Sequence, residues 1–274
     1  MCGSLYVTHS IHYRVSLRCG TRAGEIFPPV PAPTLVDVLG DYRVVNLAHV
    51  NDPARTSLYP GDPEFTATTV ATVTEDGYHL RLLHQGEHTG THWGAPSHFN
   101  ADQPGADELD TADLFLPAVK VDVRDRAVDP DYAVTVDDLR AWEAVHGEIP
   151  PESAVVLHTG WEDRWGTPAF ANLDADGRLH QPGFSLAAVE WLVATGRLGR
   201  RGALGTDTFG PDVGVDGSFA VSKLLYREHR ISLEVLANLA ELPPTGAWVL
   251  VGGTVNRGGS GSPASVYALM PKDG

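Results

Sequence analysis

Cysteine is nearly absent from this chain of 274 residues, which contains only Cys2 and Cys19, both close to the N-terminus. Two such cysteines provide neither a disulfide framework nor a cysteine-based metal site. The chain also lacks an apolar run of the roughly 18 residues that a membrane-spanning helix needs. Its first residues show no basic start followed by an apolar stretch, so we expect a cytoplasmic protein with no secretory signal and no membrane partner.

Positive charge is scarce as well, because 20 lysine and arginine residues stand against 35 aspartate and glutamate residues, for a formal net charge of −15. The acidic residues are spread along the chain and form no acidic tail. Nucleic acids bind to basic surfaces, so a nucleic-acid partner is excluded. With 42% hydrophobic residues, the chain is long enough to bury a sizeable core, as globular proteins do.

Three histidines fall within eleven residues, at His88, His92 and His98. Neutral imidazole is the commonest metal ligand and also titrates near neutral pH, so the cluster predicts either a divalent-metal site or a set of general acids and bases. A helix would place His88 and His92 on one face, but the intervening Thr-Gly-Thr is poor helix material. We therefore expect a strand end or a tight loop here.

Two acidic residues elsewhere lie inside or directly beside apolar segments. Glu234 lies inside the apolar run Leu233–Leu236, where an acid is either a helix N-terminal carboxylate or a buried functional group. Asp207 directly follows a short predicted strand over residues 203–206, which places it at the edge of a sheet.

The remaining pattern alternates β-rich runs with two helical segments, which predicts a mixed α/β fold. Glu75-Asp76-Gly77 separates two β-rich runs, as in a hairpin. Proline-rich residues 28–33 end an N-terminal arm, residues 1–33, and residues 34–274 are expected to form a single domain. Strands are predicted at 44–48, 65–73, 78–85, 118–123, 154–159, 203–206, 248–251 and 264–269, and helices at 135–145 and 185–194.

With these motifs the chain resembles the cyclase family that includes bacterial kynurenine formamidase and isatin hydrolase, whose hallmark is H-x-G-T-H-x-D-x-P-x-H. Gly94 stands where the family has a metal-binding aspartate. The residues that match the hallmark are His88, Gly90, Thr91, His92, Pro96 and His98.

A second family segment has a histidine twelve residues before a glutamate, in a stretch that ends N-L-x-E-L. Here the glutamate is Glu234, followed by residues 238–242, and Ser222 replaces the histidine. Further similarity at residues 58–63, 205–207 and 258–263 extends the resemblance over roughly residues 44–270.

The resemblance implies a β-barrel-like sheet core flanked by helices, often in a homodimer. It also implies that intact members hold one or two divalent ions, which activate water to attack an amide. Because two ligand positions are altered here, a binuclear site is not expected. One zinc or manganese ion at His88, His92, His98 and Glu234 is the alternative to no metal at all.

Three functions follow from these residues. In the first, the chain is a ring-forming enzyme of natural-product biosynthesis that works on a small organic molecule without hydrolysis, with the three histidines and Glu234 as acids and bases. In the second, it is a metal-dependent hydrolase of an N-formyl amide, cyclic amide or lactone. In the third, it is an inactive binding protein. The predicted substrate-binding residues are Trp93, Asp207 and Ser222.

Overall fold

The computed structural model describes residues 40–272, so the predicted N-terminal arm lies outside the described residues. Alternating apolar and polar residues build most of the strands, because successive side chains of a strand point to opposite faces. The strands are β1 Tyr42–Asn46, β2 Thr66–Ala71, β3 Leu80–His84, β4 His92–Gly94, β5 Phe115–Asp122, β6 Ala133–Val134, β7 Ala154–His158, β8 Gly183–Phe184, β9 Ala203–Thr206, β10 Ile231–Glu234, β11 Ala247–Gly253 and β12 Gly261–Pro271.

The main sheet closes on itself. Its strand order is β1-β12-β11-β5-β7-β9-β10-β4, and β4 pairs in addition with β12. The second pairing joins seven strands into a barrel, and β1 extends the sheet beyond β12. The long strand β12 makes this possible, since Gly261–Pro263 pair with β4 while its later residues pair with β11 and β1. The predicted barrel-like α/β fold is confirmed.

Helices cover one side of this barrel. Two of them begin where the sequence predicts, because the hydroxyls of Thr135 and Ser185 each accept a hydrogen bond from a backbone N–H of the first turn. No helix of the described residues is both long and apolar enough to cross a bilayer. The helices are α1 Val73–Asp76, α2 Val136–His146, α3 Pro168–Ala171, α4 Leu186–Ala194 and α5 Ala220–Leu225, with 3-10 turns at Pro96–His98, Ala106–Glu108, Thr111–Leu114, Trp161–Arg164 and Leu239–Glu241.

Alternate residues of the central strands enter two separate cores. In β7, Ala154 and Val156 face the barrel interior, whereas Val155 and Leu157 pack against the helices. Burial on both faces explains why this strand reads as a continuous apolar run in the sequence.

Four parallel strands end at one edge of the barrel. Strands β5, β7, β9 and β10 run in the same direction, and their last residues are Asp122, His158, Thr206 and Glu234. Polar side chains from distant parts of the sequence therefore collect at this edge.

The predicted hairpin forms, but outside the barrel. Strands β2 and β3 pair only with each other, and α1 lies between them. Every residue of β3 is exposed, and this strand ends seven residues before β4 begins. The histidine stretch is therefore positioned by the barrel strand β4, which carries His92, and not by the hairpin.

Strand β4 alternates in the same way, so Trp93 points into the barrel core while His92 and Gly94 point away from it. Trp93 is 1% exposed, whereas Trp248 on the outer face of β11 is 41% exposed.

This difference predicts the stability of two matched variants. We expect Trp93→Ala to lower the free energy of unfolding by about 3–5 kcal/mol, because a buried aromatic ring leaves a cavity. Trp248→Ala should cost less than about 1 kcal/mol. Urea denaturation of both variants measures the difference, and equal losses would contradict the placement of Trp93 in the core.

Candidate active site

A cavity of about 260 Å³ opens at the barrel edge where the parallel strands end. Five of the seven predicted site residues reach it, although they come from distant parts of the sequence, namely His88, His92, His98, Ser222 and Glu234. Its lining residues are Tyr59, Asp62, His88, His92, His98, Phe99, Leu179, Gln181, Phe209, Gly210, Pro211, Asp212, Val213, Gly214, Asp216, Phe219, Ser222 and Glu234.

The most buried charged or titratable side chains of the cavity are His92 and Glu234, which are directly opposite each other on β4 and β10. His92 Nε2 lies 3.2 Å from Glu234 Oε2, and both residues are buried. His92 Nδ1 donates to the carbonyl of Gly90 at 2.8 Å, so both ring nitrogens face acceptors. Burial disfavours the imidazolium form of His92, but the nearby carboxylate of Glu234 favours it more strongly, so the pKa of His92 is raised.

The same pairing keeps Glu234 ionised. Burial alone would raise the pKa of this carboxyl group, but the charge of His92 and the hydroxyl of Ser232 lower it. Both shifts favour the ionised pair of an imidazolium and a carboxylate. Among the described residues, none offers His92 Nε2 a well-aligned hydrogen bond, which leaves this atom available to a molecule in the cavity.

The Gly-Thr of the histidine motif shapes the backbone. Gly90 has φ of +66°, a left-handed conformation that favours glycine, and a Cβ there would collide with Asn51. The hydroxyl of Thr91 donates to the carbonyl of Val235 and accepts from the backbone N–H of His49. Thr91 therefore ties the chain before β4 to the end of β10, and the predicted tight loop is present.

His88 is held by the glycine-rich loop before β12. Ser260 Oγ donates its only hydrogen to Glu87 at 2.9 Å. His88 Nε2 lies 2.9 Å from the same oxygen, so in this second hydrogen bond His88 Nε2 is the donor. Burial and the neighbouring His92 and His98 lower the His88 pKa to about 3. His88 is therefore a neutral imidazole at physiological pH.

His98 stacks on His88, with ring centroids 3.9 Å apart and ring planes inclined by 23°. It lies in the 3-10 turn after β4 and also contacts Phe99 edge-on. Of the three histidines it is the most exposed.

The remaining walls are apolar and acidic. The aromatic side chains of Tyr59, Phe99, Phe209 and Phe219 form much of the surface. The lining also contributes Asp62, Asp212, Asp216 and Glu234, and includes neither lysine nor arginine among the described residues. The cavity thus presents aromatic surface in a negative field.

Ser222 lines the cavity from α5, as the sequence predicts for a substrate-binding residue. Its hydroxyl donates to Asp212, which also accepts from the backbone N–H groups of Val221 and Ser222. Asp212 therefore holds the first turn of α5 against the cavity.

Two predicted substrate-binding residues lie elsewhere. Trp93 is in the barrel core and does not line the cavity, because the alternation of β4 turns it away from His92. Asp207 is fully buried at the end of β9 and is also absent from the lining. Its carboxylate accepts hydrogen bonds from Thr159, Trp161 and Glu162, so it holds a turn.

Gly94 lacks room for any side chain. A Cβ at this position would collide with the Tyr226 hydroxyl and lie 2.8 Å from Ser232 Oγ. Tyr226 is completely buried and donates to Ser232 at 2.7 Å. The hydroxyls of Tyr226 and Ser232 thus occupy the place where the aspartate side chain of the family's motif would lie at position 94.

The predicted metal ligands do not fit one ion in this arrangement. A metal bound by two imidazoles lies near both ring planes, about 2.0–2.1 Å from each nitrogen. The stacked rings of His88 and His98 have no such common point. His88 Nε2 is also bonded to Ser260, and position 94 supplies no carboxylate.

A different group could hold a metal. Among residues 40–272, the ligand atoms of His158, Glu162 and Asp207 all lie within 4.8 Å of one another. None of the three lines the cavity. Asp207 already accepts four hydrogen bonds, which occupy its four lone-pair positions, so it has little capacity left for an ion.

Sequence reasoning missed several residues of the site, namely Tyr59, Asp62, Asp212, Tyr226, Ser232 and Ser260. Asp62 lies in the rigid turn at residues 59–63, and Ser260 lies in the glycine-rich loop, so both are in segments that resemble the family. Tyr226 and Ser232 have no signal in the sequence, since their role depends on the register between β4 and β10.

Comparisons with known proteins agree with this geometry. The profile of the family called Cyclase matches residues 45–213. An isatin hydrolase of Roseibium aggregatum is 34% identical over 249 residues, which are 85% of this chain and 94% of that protein. The chain belongs to the cyclase family, and it is an enzyme of that family.

Solved structures give the same result. A crystal structure of an isatin hydrolase bound to the product analogue thioisatinate has a TM-score of 0.79 and 32% identity, covering 86% of this chain and 95% of that one. Isatin hydrolase A from Ralstonia solanacearum has a TM-score of 0.80 and 32% identity, covering 88% and 98%.

The neutral state of His88 predicts acid-sensitive stability. A histidine whose pKa falls from 6.5 to about 3 on folding binds its proton more tightly in the unfolded chain. The free energy of unfolding should therefore fall as the pH drops below 6.5, by up to about 1.4 kcal/mol per pH unit from this group.

Urea denaturation of His88→Gln between pH 7 and 4 tests this, with the exposed hairpin variant His84→Gln as control. We expect a shallower pH dependence for His88→Gln only. Equal slopes in the wild type and in His88→Gln would contradict the assignment.

Proposed function

We propose that this cyclase-family enzyme closes a ring in a small, mostly apolar molecule by proton transfer from its own side chains, with no metal ion at the three histidines. The observation that carries the proposal is the buried ion pair of His92 and Glu234, 3.2 Å apart, which lines an aromatic cavity. A buried acid and base with opposite charges, open to the same cavity, are the groups that such a reaction requires.

Glu234 is the proposed general base and His92 the proposed general acid. The ionised carboxylate takes a proton from the substrate carbon next to a carbonyl group, and the imidazolium donates its Nε2 proton to the oxygen where negative charge develops. Proton transfer of this kind contributes about 10²–10⁴-fold to a rate. The neutral rings of His88 and His98 line the cavity beside this pair and can accept a substrate proton.

The substrate is proposed to be neutral or cationic and partly aromatic. Four carboxylates and the absence of lysine and arginine from the described lining disfavour a substrate that carries its own carboxylate. The aromatic rings of Phe99, Phe209 and Phe219 favour a flat apolar body. Such walls also hold a flexible chain in a folded, ring-forming conformation, where orientation alone can contribute about 7–11 kcal/mol.

Metal-dependent hydrolysis of a cyclic amide or related bond is the second candidate. The similarity to isatin hydrolases over 85% of the chain favours it. An inactive binding protein has no such support, because a buried acid–base pair faces the cavity. The location of the protein in the cytoplasm is also part of our proposal and can be followed with a fluorescent fusion.

We predict that the purified protein holds less than about one-tenth of an equivalent of zinc or manganese after reconstitution, because its histidines do not converge.

With 1-phenylhexane-1,5-dione as probe, the methyl carbon attacks the aryl ketone, and loss of water gives 3-phenylcyclohex-2-enone. We expect acceleration of this ring closure that resists EDTA. Glu234→Gln should lower the rate by about 10²–10⁴-fold.

The control variant is Asp216→Asn, which removes a lining carboxylate that is bonded to Ser218 and is not part of the ion pair. It should retain most of the rate. Stoichiometric metal together with EDTA-sensitive hydrolysis of isatin would contradict the proposal and establish the second candidate.

We also propose a homodimer in which the hairpin of β2 and β3 packs against a second copy of the chain. A lone two-stranded hairpin is marginally stable in water. This one leaves Val70, Leu80, Leu82 and Leu83 between 46% and 63% exposed. The partner must cover an apolar surface, and a second copy matches the association expected from the family resemblance.

Light scattering after gel filtration tests this association. The wild type should have twice the chain mass of 29.4 kDa, and Leu82→Glu should shift it towards the monomer. Val128→Glu, at an exposed position outside the hairpin, should leave the mass unchanged. A monomeric wild type at tens of micromolar would reject the proposal.

A further inference from the structure

We infer that Gln181 is a positioning residue for substrate selection, whose amide holds the ring of Phe209 in the cavity wall and so sets the preference for a flat aromatic body. Gln181 is 1% exposed and belongs to the cavity lining. The inference rests on the proposed function, which supplies the class of substrate. Its test measures binding and needs no turnover.

The wall that contains Phe209 has no regular secondary structure of its own. Residues 209–214 all line the cavity, and they form neither a helix nor a strand. Without ladder hydrogen bonds, the position of this segment depends on bonds to neighbouring chain. The backbone N–H of Gly214 donates to the carbonyl of Gln181 at 2.8 Å. A Cβ at Gly214 would lie 2.5 Å from the backbone nitrogen of Gln181, so the two stretches of chain are in close contact.

The side chain of Gln181 supplies a further bond at the start of this segment. Its Oε1 accepts from the backbone N–H of Phe209 at 2.9 Å, and its Nε2 donates to the carbonyl of Phe170 at 2.6 Å. The same carbonyl accepts from Trp161 Nε1 at 2.8 Å. All four residues are buried, where a backbone group left without a partner is costly. An amide is donor and acceptor at once, so one side chain satisfies both backbone groups.

These two bonds fix the Phe209 ring between two other rings. It is edge-to-face with Phe170, with centroids 4.9 Å apart and planes inclined by 83°, and with Tyr59, at 5.7 Å and 76°. Phe209 and Tyr59 line the cavity, whereas Phe170 is fully buried and does not. An apolar side chain at position 181 would leave the N–H of Phe209 and the carbonyl of Phe170 without the amide, and the ring would lose its fixed position.

Selection of the substrate follows from the position of this ring. Aromatic side chains bury flat apolar surface, so a phenyl group against Phe209 and Tyr59 gains affinity that a methyl group does not. Gln181 bonds to the backbone that carries the ring. It therefore acts on the substrate through Phe209.

Calorimetric titration with two neutral diketones tests the inference. The compounds 1-phenylhexane-1,5-dione and heptane-2,6-dione share the diketone chain and differ only in a phenyl or a methyl end. The wild type should bind the phenyl compound at least about tenfold more tightly, and Gln181→Met should reduce this ratio by about fivefold or more. A loss of folded protein would weaken both ligands by the same factor, so only the ratio reports the wall.

A double-mutant cycle shows whether Gln181 acts through Phe209. Phe209→Leu should lower the affinity ratio to a similar extent, and adding Gln181→Met should lower it little further. Gln103→Met is the matched control, because Gln103 does not line the cavity and should keep the wild-type ratio. If Gln181→Met does not fold, Gln181→Glu takes its place, since it keeps an acceptor for Phe209 and removes the donor to Phe170.

An unchanged ratio in the Gln181 variant would overturn the inference, and so would independent effects of the Gln181 and Phe209 substitutions. A wild type that binds both diketones equally, or neither of them, would also overturn it. Failure of the ring closure in a protein with the expected affinity ratios would reject only the proposed reaction.

Discussion

The antiparallel pairing of β4 with β10 is the constraint on which the rest of the site depends. These strands are three and four residues long, yet their register sets His92 against Glu234 and Gly94 against Ser232 on one face. On the other face Trp93 and Leu233 enter the core. A shift of one residue would exchange these faces and bury the ion pair among apolar side chains. The barrel prevents such a shift, because β12 and β9 bind the outer edges of this pair of strands.

Electrostatics at the barrel edge follows from this placement. Burial separates His92 and Glu234 from water, and their proximity favours the ionised form of both groups. Burial also keeps His88 neutral, since Glu234 raises its pKa by less than burial and the two neighbouring histidines lower it. Three imidazoles in one cavity thus differ in charge because their neighbours differ. A metal ion would instead require three neutral rings that converge on one point, which the stack of His88 on His98 prevents.

Much of the fold could be predicted from the sequence, since the strands of the barrel are apolar runs and the helices begin at Thr135 and Ser185. The grouping of the three histidines with Glu234 followed from the family resemblance and not from spacing. Trp93 was assigned to the substrate because it is next to His92 in sequence, but a strand sends neighbours to opposite faces. Asp207 follows a strand at the barrel edge where the cavity opens, yet its carboxylate accepts the hydrogen bonds of a turn and does not line the cavity. The role of Tyr226 could not be predicted. It is 132 positions from Gly94 in the sequence, and only the strand register brings its hydroxyl to the place where a side chain of residue 94 would lie.

The central proposal is that His92 and Glu234 form a direct ion pair in a cavity whose histidines bind no ion. A crystal grown with excess zinc and measured at the zinc absorption edge tests it most directly. The account predicts no anomalous peak among His88, His92, His98 and Glu234, with His92 Nε2 still in contact with Glu234. A strong peak coordinated by His92, Glu234 and a second histidine, with the His88 and His98 rings no longer stacked, would contradict it.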